Sequence, residues 1–134
     1  MSDTDPYDVR SAPTPTVLRI IRMALLGGVV MFGAAVTYLV RQNPPDTPQA
    51  ARALQYVNIA FLIGAATGVL YLQRRHDAER DPARRSTWNI VAWALGEATA
   101  MFGGVHYLLS GSPIPYLVGL AMLIASFVLV PIRE

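Results

Sequence analysis

Four long apolar runs constrain this chain more than any other feature. Val17–Val40, Ala53–Gln73, Ser86–Ser110 and Ile114–Pro131 hold three charged residues between them: Arg19, Arg22 and Glu97. At about 1.5 Å per residue the first run reaches about 36 Å as a helix, enough to cross a hydrocarbon core of about 30 Å with some tilt. The fourth and shortest reaches roughly 27 Å. Membrane strands need only about 9–11 alternating residues, so runs of this length are not strands. In lipid, a helix satisfies its own backbone within one segment. The expectation is an all-α polytopic membrane protein with transmembrane helices over 17–40, 53–73, 86–110 and 114–131. It has one four-helix domain, 17–134.

The punctuation between the runs agrees. Arg41 to Pro48 stops the first run with charge and prolines. Ser86 has the chemistry of an N-cap for the third, and Gly111-Ser112-Pro113 makes a tight turn before the fourth. Residues 74–85 form a polar inner loop. Residues 1–16, acidic at the front and proline-containing, are expected to be a disordered cytoplasmic tail. They lack the basic start of a signal peptide.

Only 15% of the residues are charged and 53% are apolar, against about a quarter charged in soluble domains. All 11 basic residues are arginine. With both termini inside, Arg10, Arg19, Arg22, Arg74, Arg75, Arg80, Arg84, Arg85 and Arg133 lie on the inner side and only Arg41 and Arg52 outside. That bias orients the chain N-in and C-in, as in a bacterial cytoplasmic (inner) membrane. Tyr38, Tyr56, Tyr107 and Tyr116 would fall at the outer interface, and Tyr71 and Trp88 at the inner one. The basic balance is thus topological and does not point to nucleic acid. A docking site for anionic lipid or a partner is the sharper reading of the inner arginines.

The chain also repeats itself. A shift of 70 residues lays the first run on the third with seven identities between positions 20 and 39, including Met31-Phe32-Gly33 on Met101-Phe102-Gly103. A shift of 61 pairs Val57, Ala60, Leu62 and Ile63 with Val118, Ala121, Leu123 and Ile124. The expectation is two repeated antiparallel hairpins in a pseudo-two-fold bundle. Small residues permit close helix packing: Gly27, Gly28 and Gly33 in the first run, the G-x-x-x-G of Gly64 and Gly68 in the second, and Gly96, Ala100 and Gly104 in the third.

Glu97 is the one acidic residue inside a run. A charge near mid-bilayer costs roughly 2.5–3.5 kcal/mol on insertion scales, so such a residue needs a function or a partner. Its own helical neighbours cannot neutralise it. Arg22 is a possible counter-ion from the first helix, or it snorkels to the headgroups. Asn58 and Thr67 are the other polar groups within reach. Glu97 can thus be a hydrogen-bond anchor between helices, a proton- or cation-binding site, or a contact for a partner subunit or lipid.

Catalytic chemistry finds no foothold. There is no cysteine, which removes disulfides, thiolate metal sites and thiol nucleophiles. There is no H-E-x-x-H, G-x-S-x-G or P-loop, and Ser110 and Ser112 have no base beside them. His106 could ligate a tetrapyrrole metal, but a bis-His haem needs a second intramembrane histidine, and His76 falls in the inner loop. No cofactor and no metal are therefore expected, and the chain is not expected to be an enzyme.

The Gly- and Ala-rich stretch Gly64-Ala65-Ala66-Thr67-Gly68, the Arg-rich loop from Arg74 to Arg85, and the carboxylate in Ala94-Leu95-Gly96-Glu97-Ala98 together resemble the proteolipid c subunit of rotary ATPases. A duplicated hairpin with one carboxylate also resembles the four-helix proteolipids of vacuolar-type enzymes. The resemblance spans about residues 60–110. It implies a ring-forming subunit in which Glu97 binds the translocated proton. The sequence departs from that family in lacking its dense run of alternating glycines and in having a longer loop. Glu97 also lies on the first helix of its hairpin. Apart from that resemblance, the expectation is a small non-catalytic membrane protein. It would be a subunit or assembly partner of a membrane complex, or a homo-oligomer, with the bilayer and other membrane helices as its partners. The alternative is a proton- or cation-linked transporter or channel component centred on Glu97.

Overall fold

The structure, a computed structural model, describes residues 12–46 and 48–133. It is all-helical: α1 Pro15–Gln42, α2 Pro48–Ala78, α3 Pro82–Ser110 and α4 Ile114–Leu129. Residues 1–11 of the expected tail lie outside the described residues. Pro15 and Thr16, assigned to that tail from sequence, are already helical, because Thr14 caps α1. Its hydroxyl oxygen accepts from the Val17 N–H at 3.4 Å, and Pro15 sits in the first turn, where no N–H is needed.

The expected inner loop 74–85 shrinks to residues 79–81. α2 runs on through Arg74-Arg75-His76-Asp77-Ala78 because arginine is a good helix former. α3 then starts early. Asp81, not Ser86, is its N-cap, accepting from the Ala83 N–H at 3.1 Å, with Pro82 in the first turn. Ser86 is already inside the helix and donates its hydroxyl to the Pro82 carbonyl at 2.9 Å. Between the two helices the Glu79 carboxylate accepts the N–H groups of Arg80 (3.0 Å) and Asp81 (3.2 Å). At the other end of α3, Gly111 takes a left-handed φ of 74° that closes the helix, as the Gly-Ser-Pro turn required.

α3 is the centre of the molecule. It packs against all three other helices, whereas among the described residues α1 and α2 are not in contact with each other. Phe32 of α1 lies where a side chain at Gly104 would go, while Leu95 and Phe102 meet Gly68 and Phe61 of α2. Leu95 and Gly104 are nine residues apart, two and a half turns, so α1 and α2 flank opposite sides of α3. α4 covers a third side, seated by Gly96, Gly103 and Gly119. The remaining side of α3, with Val91, Ala94, Ala98 and Val105, is exposed.

This arrangement corrects the expected symmetric bundle. Two equal hairpins would pack α1 on α2 as α3 packs on α4; only the second pair is formed. The repeated residues also have different neighbours: Phe102 stacks on Phe61 at 5.4 Å, whereas Phe32 covers Gly104. α1 and the Ala51–Ala78 part of α2 are long and apolar enough to cross a membrane, and both bury little of that surface inside the molecule. α4 is apolar but has only 16 residues.

Candidate functional site

α3 carries four of the buried polar side chains, Ser86, Asn89, Thr99 and His106, while α2 adds His76 and α4 adds Ser126. Along the side facing α4, Asn89, Trp93, Gly96, Ala100, Gly103 and Tyr107 recur at spacings of three and four and are all buried. Trp93, fully buried, donates its indole N–H to the Val130 carbonyl at 3.1 Å and meets the Phe127 ring edge-on at 5.6 Å. Tyr116, at the start of α4, donates its hydroxyl to the Val29 carbonyl of α1 at 2.8 Å. That bond ties α4 to α1 across the interior. It also removes Tyr116 from the expected outer aromatic belt, as burial does for Tyr107. Tyr38 and Tyr56 remain exposed as a belt requires.

Glu97 is half-buried and makes no hydrogen bond or ion pair with any described residue. Two turns separate it from Gly104, so it lies on the α1-facing flank of α3. Arg22 does not serve as its counter-ion. The guanidinium instead sits over the Phe127 ring, 4.7 Å from the centroid, where cation–π attraction and the apolar stem hold it. Asn58 is half-buried on α2, the helix on the opposite side of α3. Thr67 faces outward and returns its hydroxyl to the Ile63 carbonyl at 2.9 Å. The expected polar cluster around Glu97 is thus not assembled within the chain.

The glycines divide into two sets. A Cβ at Gly96 would lie 2.8 Å from the Leu123 Cα, one at Gly68 would lie 2.7 Å from Leu95, and ones at Gly33 and Gly104 would overlap Tyr116 and Phe32. Ala100 receives Gly119 of α4 in the same way. These are close-packing positions. Gly27, Gly28 and Gly64 have nothing within 4 Å of an added Cβ. The packing role expected for these three is not realised inside the molecule, because the faces carrying them point away from it.

A cleft that includes polar side chains in a largely apolar lining lies at each end of the bundle. At the α1–α2 loop end, a cleft of about 470 Å3 is lined by Arg52, Gln55, His106, Ser110 and Ser112. His106 is 3% exposed and its Nδ1 has no partner. His76 lies at the opposite end of the bundle, so no second imidazole approaches it, and no three His, Asp or Glu side chains converge among the described residues. At that opposite end the start of α1, the start of α3 and Arg133 enclose a second cleft, of about 340 Å3. There Arg133 pairs with Asp77 at 2.6 Å, Asn89 donates to the Pro131 carbonyl at 3.5 Å, and Arg85 donates to the Glu79 carbonyl. The Glu79 carboxyl is held below its ordinary value, chiefly by the Asp81 N–H and also by that of Arg80.

Comparison with known protein families, curated proteins and solved structures returns no match. Sequence reasoning missed Asn89 and the Trp93 and Tyr116 ties. Their signal was the three-and-four spacing of small and polar residues along α3, which marks a helix packed against helices.

Proposed function

We propose that this chain is an integral membrane protein crossing the bilayer four times, with both termini on the cytoplasmic side of a bacterial cytoplasmic membrane. It works without catalysis, as a subunit that binds a further membrane helix. The observation that carries the reading is the open face made by α1, α3 and α2. On the α3 side of that face Val91 is 44% and Val105 41% exposed, so lipid or protein must cover them. Ala94 and Ala98, both exposed, form its floor and add little bulk. A helix can approach such a surface closely, which is how helices associate where the hydrophobic effect gives no drive. The partner is another subunit or a second copy.

The test is the mass of the full chain in mild detergent and in nanodiscs, with and without Ala98→Leu. A stoichiometric partner or dimer, lost in Ala98→Leu while the unfolding midpoint of the isolated chain is unchanged, supports the reading. A monodisperse monomer in every lipid, with nothing co-purifying, refutes it.

The unpartnered Glu97 favours a second reading, in which the chain is a proton- or cation-linked component and Glu97 binds the ion. The likeness to rotary ATPase proteolipids is one form of that reading. Liposomes carrying a pH gradient test it: a flux that Glu97→Gln abolishes supports it, and absent or Glu97-independent flux ends it.

A further inference from the structure

We infer that the cleft at the cytoplasmic end of the bundle binds a phosphodiester headgroup carrying a hydroxyl donor, the chemistry of phosphatidylglycerol. The inference rests on the membrane reading for the location of this end, and goes beyond it in assigning a ligand. Three observations meet in the cleft. Arg85 has no carboxylate partner among the described residues, and its Nε is buried without a hydrogen bond. Arg133 lines the same cleft and, among the described residues, pairs with Asp77. Asn89 is 2% exposed, and its Oδ1 has no donor. A buried donor and a buried acceptor left without partners each cost free energy comparable to a lost hydrogen bond.

The two deficits have opposite chemistry. The guanidinium of Arg85 seeks an anion, and planar guanidinium matches phosphate oxygens. Asn89 Oδ1 seeks a hydroxyl or ammonium hydrogen, which an inorganic anion alone does not offer. One molecule bearing both a phosphate and a hydroxyl a few bonds away answers both. The volume, about 340 Å3, lies within the range of small-molecule sites of about 300–1,000 Å3. Leu18 forms an apolar wall at the point where an acyl chain would turn into the bilayer. Arg84 is the internal control. It neighbours Arg85 in sequence, but its side chain is 76% exposed, it sits 3.8 Å from Asp81, and it does not line the cleft.

Native mass spectrometry of the full chain released from phosphatidylcholine nanodiscs doped with phosphatidylglycerol reads the binding. One phosphatidylglycerol retained per chain is expected, in preference to phosphatidylcholine, whose quaternary headgroup has no donor. Arg85→Ala should weaken retention by about tenfold or more, the loss of one charged hydrogen bond. Arg84→Ala should leave it unchanged. Asn89→Leu should narrow the preference over phosphatidylcholine; because Asn89 is buried, an unfolding titration accompanies that variant, and Arg85→Gln provides a second loss at a half-exposed position. Equal effects of Arg84→Ala and Arg85→Ala, or equal retention of both lipids, overturn the site in favour of diffuse surface charge. A parallel arm offers glycerol phosphate to the delipidated protein in micelles: binding there supports the site with a soluble source, and binding of phosphatidylglycerol alone supports a lipid. Carbonate-washed vesicles separate the two levels. Release of the chain overturns the membrane reading, whereas a retained chain that holds no phosphate compound overturns only the site.

Discussion

Gly119→Ala tests the α3–α4 seam most directly. A Cβ at Gly119 would lie 2.5 Å from the Thr99 carbonyl oxygen and 2.6 Å from the Ala100 Cα. Both obstacles are backbone, so no side-chain rotation relieves them. Ordinary contact begins at 3.4 Å, and the helices must separate by about 1 Å to restore it. Overpacking of this kind costs typically 1–3 kcal/mol, and one to two kcal/mol is already a factor of about 5–30 in the folded-to-unfolded ratio. Gly64→Ala makes the opposite change. Its Cβ meets nothing, and replacing glycine in a helix interior gains roughly 0.5–1 kcal/mol. Unfolding by SDS in mixed micelles, followed through the fluorescence of Trp93 against Phe127, measures both. Gly119→Ala should lower the midpoint and Gly64→Ala should hold or raise it. If the two variants unfold alike, or in the reverse order, the seam is not where the structure places it.

Tyr116→Phe removes the hydroxyl that Val29 accepts without leaving a cavity, so α4 should loosen from α1 by about 0.5–1.5 kcal/mol; the same SDS titration reads it. Trp93→Phe cuts the indole bond to Val130, and hydrogen exchange should rise in residues 130–133 well before it rises in α3. For Glu79 the folded value lies below the ordinary 4.5, so the ionised carboxyl stabilises the α2–α3 turn above that pH. This contribution is lost as pH falls through the lowered value. Amide exchange at Arg80 and Asp81 should therefore be slower in wild type than in Glu79→Gln near neutrality, and the difference should vanish below the folded value. A difference that persists in strong acid refutes the capping role.

How much of this was legible in the sequence depends on what each residue had to meet. The four helices follow from local information: apolar run, proline, glycine and cap. The boundaries that moved, at Thr14, Ala78 and Asp81, moved because a polar residue can sit in a solvated helix extension as readily as in a loop, and hydropathy does not distinguish them. The order of packing was written less openly. α3 is the most central helix and carries Ser86, Asn89, Thr99 and His106 in its buried set, whereas Phe, Ile, Leu and Val crowd the exposed faces of α1, α2 and α4. A soluble protein reverses this; the pattern suits a chain whose outer surface meets hydrocarbon and whose inner surface meets helices. Hydropathy reads burial from water, so the central α3 is not among the helices it marks as long and apolar enough to cross a membrane.

The glycines show why contact cannot be read from motif. Gly64 and Gly68 share one G-x-x-x-G, yet Gly68 lies under Leu95 and Gly64 lies in the open. One turn of helix rotates by about 40° over four residues relative to its starting face, enough to carry Gly64 past the edge of α3. Glu97 follows the same logic. Sequence showed that it needs a partner, and the fold shows that Arg22 is occupied over Phe127 and Thr67 turns outward. Under the proposed docking, a carboxyl beside an uncovered, small-residue face would gain its partner from the helix that covers that face. Loss of a co-purifying helix and loss of Glu97 function should therefore occur together in Ala98→Leu. A variant that loses the helix yet keeps a Glu97-dependent flux would separate the open face from the carboxyl.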